Sequence, residues 1–235
     1  MIRLILAAVL LTSLAGRPSD AAAQADVALV LAVDVSGSVT EERFKLQREG
    51  IARALESDTL AAAVIGGVHQ AIEIAVVEWA EEQEVVVPWT IVRCREDLAG
   101  LAGALRRTER SWVHTMTDPA GGIIAAKMLL GSAPLAANRR VIDVSGDGAQ
   151  NTGKVRAAEA RDRAIADAVT INGLPITSGD EPNVEDWYRI NVVGGQDAFL
   201  VVANGFDAFA EAIQQKLVRE VAGLAGPTRQ FAGLH

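Results

Sequence analysis

Oxygen-bearing side chains alternate in one short segment near the start of the chain, which reads Asp34-Val35-Ser36-Gly37-Ser38. The alternation turns Asp34, Ser36 and Ser38 to the same side of a tight loop, and Gly37 lets the backbone turn. A carboxylate with two hydroxyls is a donor set that hard divalent cations accept. A pattern this short also arises by chance, often as a turn in which Asp and Ser cap a helix. It predicts a cation site only when further oxygen ligands join it.

Two later positions offer such ligands. Asp147 lies between Gly146 and Gly148, directly after a second apolar run, and Thr117 stands just before Pro119. In an open α/β sheet, ligands bind beyond the carboxyl ends of the strands, where these loops are expected to meet. Together the loops would supply two carboxylates and three hydroxyls. An all-oxygen set of this kind favours a hard divalent cation over zinc or copper.

The hydrophobic pattern predicts the strands that position these loops. Residues 27–33 form a continuous apolar run that ends at Asp34, which is typical of a central strand buried on both faces. Residues 71–79 and 84–92 are β-rich and joined by a short polar segment, so we expect an antiparallel hairpin at a sheet edge, where Pro88 is tolerated. Further strands are predicted at residues 140–144, 169–176 and 198–203, the second of them interrupted at Asn172-Gly173.

Apolar residues at helical spacing predict helices between these strands. They cover residues 41–57, a stretch before Gly66, and residues 97–107, 119–130, 155–168 and 206–221. The polar residues 177–197 look like a loop insertion. Strands that alternate with helices indicate an α/β fold, with a doubly wound, mostly parallel sheet, one antiparallel edge strand and helices on both faces. No internal repeat divides the chain, so one domain is expected.

The first 25 residues have the pattern of a secretory signal peptide. Arg3 supplies the positive start, residues 4–15 the apolar stretch, and Ala23-Gln24-Ala25 an A-x-A cleavage site. The apolar stretch is too short for a good membrane span and no later stretch resembles one, so we expect no stable membrane anchor. The sequence predicts a domain over residues 26–222 and a loose tail over residues 223–235, in a periplasmic or secreted protein exported as in Gram-negative bacteria.

The charge balance and the cysteine count exclude several classes of function. The chain carries a formal net charge of -8, which becomes -9 when residues 1–25 are removed. An acidic chain without a basic stripe argues against nucleic acid or an anionic lipid surface as a partner. Cys94 is the only cysteine, so no intrachain disulfide can form, and a buried structural thiol is expected.

The same residues resemble the metal-ion-dependent adhesion site of the von Willebrand factor A-type domain. That family has D-x-S-x-S after an apolar first strand, a downstream threonine, and an aspartate at the end of a later strand. Thr117 stands five residues before Gly122-Ile123, as the family's threonine does before its Gly-aliphatic pair, whereas Thr115 does not. The resemblance covers residues 26–221. It implies that the metal ligands are Asp34, Ser36, Ser38, Thr117 and Asp147.

A closer resemblance is to a bacterial exported family of unknown function that has a von Willebrand A-like domain. It rests on V-E-W at residues 77–79, V-P-W-T at residues 87–90 and V-S-G-D-G at residues 144–148. The chain departs from better-known A domains in its S-G-D-G loop and in a polar insertion around Trp187-Tyr188. These departures concern the partner, for which Trp187 is the candidate contact residue.

The resemblance implies a binding module, for adhesion or protein interaction, and not an enzyme. Mg²⁺ is the expected cation, with Ca²⁺ or Mn²⁺ as alternatives, and the partner is a protein that offers a carboxylate to the metal. One alternative is a metal-dependent phosphohydrolase of the haloacid dehalogenase type. Such enzymes need D-x-D, and Ser36 stands where the second acid belongs. Another alternative is a structural role, in which the cation holds the loops and binds no partner.

Three nearby polar residues have simpler explanations. Asp143 lies inside a predicted strand and is expected to be a buried, hydrogen-bonded acid, with a metal role as the alternative. Asp118 is expected to be a solvated loop residue. Asn151 is expected to cap the next helix.

Overall fold

The computed structural model describes residues 24–110, 115–177 and 181–223, along which strands alternate with helices. The strands are β1 (Gln24–Asp34), β2 (Ile72–Trp79), β3 (Gln83–Val92), β4 (Ala136–Gly146), β5 (Thr170–Thr177) and β6 (Ala203–Asn204). The helices are α1 (Glu41–Leu55), α2 (Asp58–Ile65), α3 (Arg95–Arg107), α4 (Pro119–Leu130), α5 (Ala157–Ala166), α6 (Val184–Asn191) and α7 (Phe209–Ala222). A short 3-10 turn, Phe206–Ala208, leads into α7.

The strands form one six-stranded sheet in the order β3-β2-β1-β4-β5-β6. β3 pairs antiparallel with β2, and all the other neighbours are parallel. The structure confirms the predicted sheet, mostly parallel with one antiparallel edge strand. Because β1 and β4 are adjacent and parallel, the loops that follow Asp34 and Gly146 leave the sheet at the same edge.

β1 lies in the middle of the sheet, and its side chains contribute to two cores. Every residue from Ala25 to Asp34 is buried. Alternate residues from Val27 to Val33 pack with α1, α2, α3 and α7, while those between them, from Ala28 to Ala32, pack with α4, α5 and α6. Helices therefore cover both faces of the sheet, which explains why the run is apolar throughout.

Two glycines let helices approach their neighbours closely. A Cβ on Gly50 of α1 would lie 2.9 Å from Cδ1 of Phe209, so α1 and α7 pack directly against each other there. A Cβ on Gly122 of α4 would lie 2.7 Å from Cγ of Trp79, which is fully buried at the end of β2. This contact seats the start of α4 on the sheet and so positions Thr117, which precedes the helix.

The prediction of a loop insertion over residues 177–197 is wrong in its centre, where α6 forms. Val184 and Tyr188, four positions apart in this helix, are fully buried against the core on the α4 side of the sheet. Two buried residues in an otherwise polar helix of one or two turns make a weak hydrophobic pattern. Their burial depends on contacts with distant parts of the chain.

The last two strands also differ from the prediction. β5 runs without interruption through Asn172-Gly173. Gly173 is needed for close packing, since a Cβ at this position would lie 2.8 Å from Cγ2 of Val193. The strand predicted over residues 198–203 reduces to the two residues of β6 and an isolated bridge between Gly173 and Leu200. The side chain of Asn172 accepts a hydrogen bond from the backbone N–H of Phe199 (2.9 Å), in competition with regular strand pairing.

The two ends of the chain bear on the predicted signal peptide, domain bounds and tail. β1 begins at Gln24, two residues before the predicted start of the domain, and residues 1–23 and 224–235 lie outside the described part, so the signal peptide and the tail stay predictions. Within the described ranges, no helix has the length and apolar character needed to cross a membrane.

Cys94 is half-exposed and not buried as expected, since it is the residue that precedes the first turn of α3.

A buried ion cluster joins β4 to α7. Nζ of Lys216 lies 2.5 Å from Oδ1 of Asp143 and 2.6 Å from Oε1 of Glu220, and all three side chains are buried. Asn172 donates a further hydrogen bond to Glu220 (2.9 Å). Burial, together with the charge of Glu220, raises the pKa of Asp143 to about 7, although Lys216 opposes the rise. Asp143 is therefore buried as the sequence predicts, and an ion pair with Lys216 takes the place of the expected hydrogen bonds.

Removal of the Lys216 ammonium group tests how much this buried ion cluster contributes to stability. We expect Lys216→Met to lower the free energy of unfolding by about 3–5 kcal/mol, because Asp143 and Glu220 would remain buried without a compensating charge. Lys127→Met is the matched control: it breaks another Lys–Asp pair of 2.5 Å, with Asp167, but at a largely solvated position. Urea unfolding of both variants measures the difference, and equal midpoints would contradict a structural role for the buried cluster.

Candidate metal site

Asp34 ends β1 and is fully buried. Its Oδ1 accepts a hydrogen bond from the backbone N–H of Ser36 (2.8 Å), which turns the loop back across the end of the strand. Its Oδ2 has no hydrogen-bond partner among the described residues. Burial first, and the nearby charge of Asp147 second, raise the pKa of Asp34 from its usual 3.8 to about 7, against the hydrogen bonds from Ser36. The ionised carboxylate is therefore unfavourable here unless a cation accompanies it.

Ser36, Ser38 and Asp147 gather around this carboxylate. The hydroxyl of Ser38 donates to Oδ1 of Asp147 (2.5 Å), and the hydroxyl oxygens of Ser36 and Ser38 lie 3.3 Å apart. Ser36 and Asp147 are buried, whereas Ser38 is exposed. The cluster therefore opens to solvent on the side of Ser38.

Thr117 lies beside the loop that carries Asp147, because a Cβ on Gly148 would be 3.8 Å from Oγ1 of Thr117. Two hydrogen bonds hold it there. Oδ1 of Asn151 accepts from the backbone N–H of Thr117 (2.8 Å), and the backbone N–H of Asn151 donates to the Thr117 carbonyl (3.0 Å). The expectation that Asn151 caps the next helix is wrong, since its side chain already pairs with this distant backbone.

The cluster fits a small, hard divalent cation. The structure brings Asp34, Ser36, Ser38 and Asp147 together and sets Thr117 beside the loop that carries Asp147, so the two carboxylates and three hydroxyls belong to neighbouring loops. Two carboxylates this close and this buried repel each other, and a divalent cation would offset that repulsion. Among the described residues, no group of three or more His, Cys, Asp and Glu side chains could hold a metal. The hydroxyls are therefore essential to this donor set.

Tyr188 of α6 is a residue of this site that the sequence did not indicate. A Cβ on Gly146 would lie 2.6 Å from the Tyr188 hydroxyl and 2.6 Å from Oδ2 of Asp34, so both oxygens border the same small space. The hydroxyl is buried and, like Oδ2 of Asp34, has no hydrogen-bond partner in the part of the chain that the structure describes. Burial and the charges of Asp34, Asp147 and Asp143 raise the pKa of Tyr188 well above its usual range, so the hydroxyl keeps its proton to donate.

Arg43 and Arg110 place positive charge at the rim of the cluster. Nη1 of Arg43 donates to the carbonyl of Ser38 (2.7 Å) and lies 3.4 Å from Oδ2 of Asp147. Nη2 of Arg110 donates to the carbonyl of Val35 (2.7 Å). The two guanidinium groups restrain the backbone of the loop, and Arg43 offsets part of the charge of Asp147.

Two other residues singled out in the sequence lie outside the cluster. Trp187 is half-buried on α6, where its ring meets the ring of Tyr188 edge-to-face with centroids 5.7 Å apart. A contact between Trp187 and a partner stays a prediction. Asp118 is half-buried and accepts a hydrogen bond from Nε2 of Gln150 (3.1 Å), so the expectation of a solvated residue is wrong.

Comparison with known families and structures agrees with this fold. The family model described as "Protein of unknown function (DUF1194)" matches residues 24–225. A search of the curated proteins finds no match. Proximal thread matrix protein 1 from the mussel byssus is 13% identical with a TM-score of 0.62, over 86% of this chain and 49% of that chain. A further structure of that protein has a zinc-occupied MIDAS motif, the metal-ion-dependent adhesion site.

Two bacterial structures are also similar. The von Willebrand factor type A protein from Catenulispora acidiphila is 18% identical with a TM-score of 0.55, over 85% of this chain and 43% of that chain. The vWF domain of the type V pili tip protein Mfa5 from Porphyromonas gingivalis is 12% identical with a TM-score of 0.59, over 88% of this chain and 99% of that chain. The chain spans about half the length of the mussel protein. At these identities the likenesses show the fold alone, and they confirm the expected von Willebrand A-type fold.

The hydroxyl of Tyr188 provides a test of the site. We expect Tyr188→Phe to weaken Mg²⁺ binding about tenfold, because the hydroxyl borders Oδ2 of Asp34 and hydrogen-bond donors next to a metal ligand contribute on that scale. The unfolding midpoint in EDTA should not fall, since the substitution keeps the ring and removes an unpaired buried hydroxyl. Isothermal titration calorimetry gives the affinity, with Ile190→Ala, an exposed position on the same helix, as the control. Unchanged affinity in Tyr188→Phe would remove Tyr188 from the site.

Proposed function

The chain belongs to the family described as protein of unknown function (DUF1194), and from this premise we propose that it is an exported module that binds a protein ligand through a divalent cation. The observation that carries the proposal is the buried pair Asp34 and Asp147, together with the unpartnered Oδ2 of Asp34. This arrangement is unfavourable by itself and becomes favourable when a cation lies between the loops. Export follows from the signal-peptide pattern of residues 1–25.

The five proposed ligands divide into charge and hydroxyl oxygens. Asp34 and Asp147 supply the charge, directly or through water, and Ser36, Ser38 and Thr117 supply hydroxyl oxygens. Mg²⁺ prefers about six oxygen ligands. The ligands are buried except on the side of Ser38, which is where a carboxylate from a partner would reach the site. A bound cation supplies the positive charge that lets a protein of net charge -8 attract an acidic ligand.

The similar structures support an interaction module. Mfa5 is a pilus tip protein, and the mussel protein comes from the byssal thread matrix. The zinc in the mussel protein's MIDAS motif indicates that a site of this type also accepts zinc, so the preference against zinc drawn from the oxygen donors is too strict. Mg²⁺ stays the proposed cation in this chain, with Ca²⁺, Mn²⁺ and Zn²⁺ as alternatives.

The phosphohydrolase alternative gains no support from the geometry around Ser36. The hydroxyl of Ser36 is buried and faces the hydroxyl of Ser38 at 3.3 Å. A hydroxyl with a pKa far above neutrality cannot protonate a leaving group as the second acid of D-x-D does. The proposed function therefore assigns these residues to binding.

Metal titration tests the site directly. We expect Mg²⁺ to bind the protein and to raise its unfolding temperature, and Asp34→Asn to weaken binding at least tenfold, because half of the ligand charge is lost. Asparagine can keep the hydrogen bond from Ser36 without the buried charge, so this variant should fold and be at least as stable in EDTA. Asp162→Asn, at an exposed position of α5, is the control.

Calorimetry with Mg²⁺, Mn²⁺, Ca²⁺ and Zn²⁺, together with thermal unfolding, gives both quantities. The site is disproved if none of the four cations binds, or if Asp34→Asn binds them as well as the unchanged protein does.

Partner capture tests the module. We expect the immobilised protein to retain a protein from a periplasmic extract of the encoding organism in Mg²⁺, to release it in EDTA, and to lose it in Asp34→Asn, because the partner's carboxylate completes the metal's ligands. Mass spectrometry of the eluates identifies the retained protein, with Asp162→Asn as the control. Retention that persists in EDTA would contradict recognition through the metal and leave the cation a structural role.

A further inference from the structure

A cleft of about 520 Å³ opens at the amino ends of β4 and β5, at the opposite end of the sheet from the candidate metal site. The start of β4, the turn after α5, the loop over residues 194–199 and the last turn of α7 form its walls. Ala168 and Asp197, on these walls, are two of the three non-glycine residues with positive φ in the described part of the chain. Backbone strain of this kind concentrates at ligand sites. We call this feature the arginine cleft, for the residues described next.

Three arginines line the arginine cleft. Arg139 and Arg140 come from β4, and Arg219 comes from α7. Arg139 donates to the carbonyl of Val221 (3.3 Å) and Arg140 to the carbonyl of Asp167 (3.2 Å), while the carboxylate of Asp167 pairs with Lys127. Among the described residues, none of the three has a salt bridge to a carboxylate, although Lys127 and, to a smaller extent, Arg140 lower the pKa of Asp167. Their guanidinium groups therefore have donors left for an outside acceptor.

The acidic residues of the arginine cleft do not cancel this charge. Glu220 is buried and already binds Lys216 (2.6 Å) and Asn172 (2.9 Å). Glu220 also interacts electrostatically with Arg139. Asp197 is exposed in the loop over residues 194–199. Arg219 thus has the least compensation, and Arg140 is compensated only in part, by an Asp167 that also pairs with Lys127. Two arginines with this little compensation make the cleft locally positive in an otherwise acidic chain, which favours a negative ligand there.

An aromatic ring lies beside these charges. The guanidinium of Arg219 stands 3.9 Å from the centroid of the Phe199 ring, which also lines the cleft. Stacking holds the planar guanidinium in one orientation, so that less entropy is lost when it binds an acceptor. The volume of about 520 Å³ is far larger than one inorganic oxyanion needs and falls within the range of small-molecule sites.

We propose that the arginine cleft binds a small organic molecule through a phosphate group. Arg140 and Arg219 lie on different elements of the cleft and would bind different oxygens of one doubly charged phosphate, and Arg139 lines the same cleft. The organic part of the ligand lies in the remaining volume, beside Phe199. The proposal is independent of the candidate metal site, which lies at the other end of the strands.

Phenyl phosphate serves as the probe, with the full chain in EDTA so that no cation can bind it. We expect saturable binding by calorimetry, and amide chemical-shift changes at Thr170, Gly195 and Gly223, which line the cleft. The double variant Arg140→Gln/Arg219→Gln should raise the dissociation constant about tenfold or more, since two charge-assisted contacts are lost. Arg93→Gln, an exposed arginine outside the cleft, should bind like the unchanged protein.

Three outcomes would overturn the proposal. The first is the absence of saturable binding at millimolar phenyl phosphate. The second is equal affinity in the double variant and in Arg93→Gln. The third is equal binding of benzyl alcohol, which has the ring without the charge. Thermal unfolding of each variant verifies that it is folded, and the partly solvated arginines make a large loss of stability unexpected.

Discussion

β1 and β4 lie side by side and parallel, and this pairing brings Asp34 and Asp147 to the same end of the sheet. Both residues are buried there, and the raised pKa of Asp34 reports the resulting cost of ionisation. The neighbouring groups reduce that cost in different ways. Ser38 donates to Asp147, and Arg43 approaches it from the first turn of α1. A cation bound between the loops, as proposed, would offset the remaining repulsion between the two carboxylates.

Because the strands are mostly parallel, charged residues cluster in three separate places along them. Carboxylates gather at the carboxyl ends of the strands, and the arginine cleft lies at the amino ends. Between them, Lys216 pairs with both Asp143 and Glu220 in the interior. The three differ physically: we propose that the carboxylates bind a cation, the interior cluster pairs two acids with one lysine, and the arginines have donors for an outside acceptor. As proposed, this acidic protein would offer two sites to negative ligands, one through a metal and one through arginines.

Much of this organisation could be predicted from the sequence, because it depends on local patterns of apolar, polar and turn residues. The apolar run before Asp34 predicted the central strand, and the polar joint between two β-rich segments predicted the edge hairpin. Pro119 marked the first residue of α4 correctly. The positions expected to meet do meet, since parallel strands deliver their following loops to one edge of the sheet. Whether those residues bind a metal is a separate question that titration answers.

The sequence by itself determined most of the strands and helices and the candidate oxygen donors, because hydrophobic period and loop composition are local properties; it missed α6 and misplaced the last strand. Only the tertiary structure decided that Tyr188 borders Asp34, that Asn151 holds Thr117, and that arginines from β4 and α7 share one cleft. Each of these depends on contacts between residues distant in the chain. The short helix α6 is the clearest case, since its polar composition resembles a loop until the core buries one of its faces.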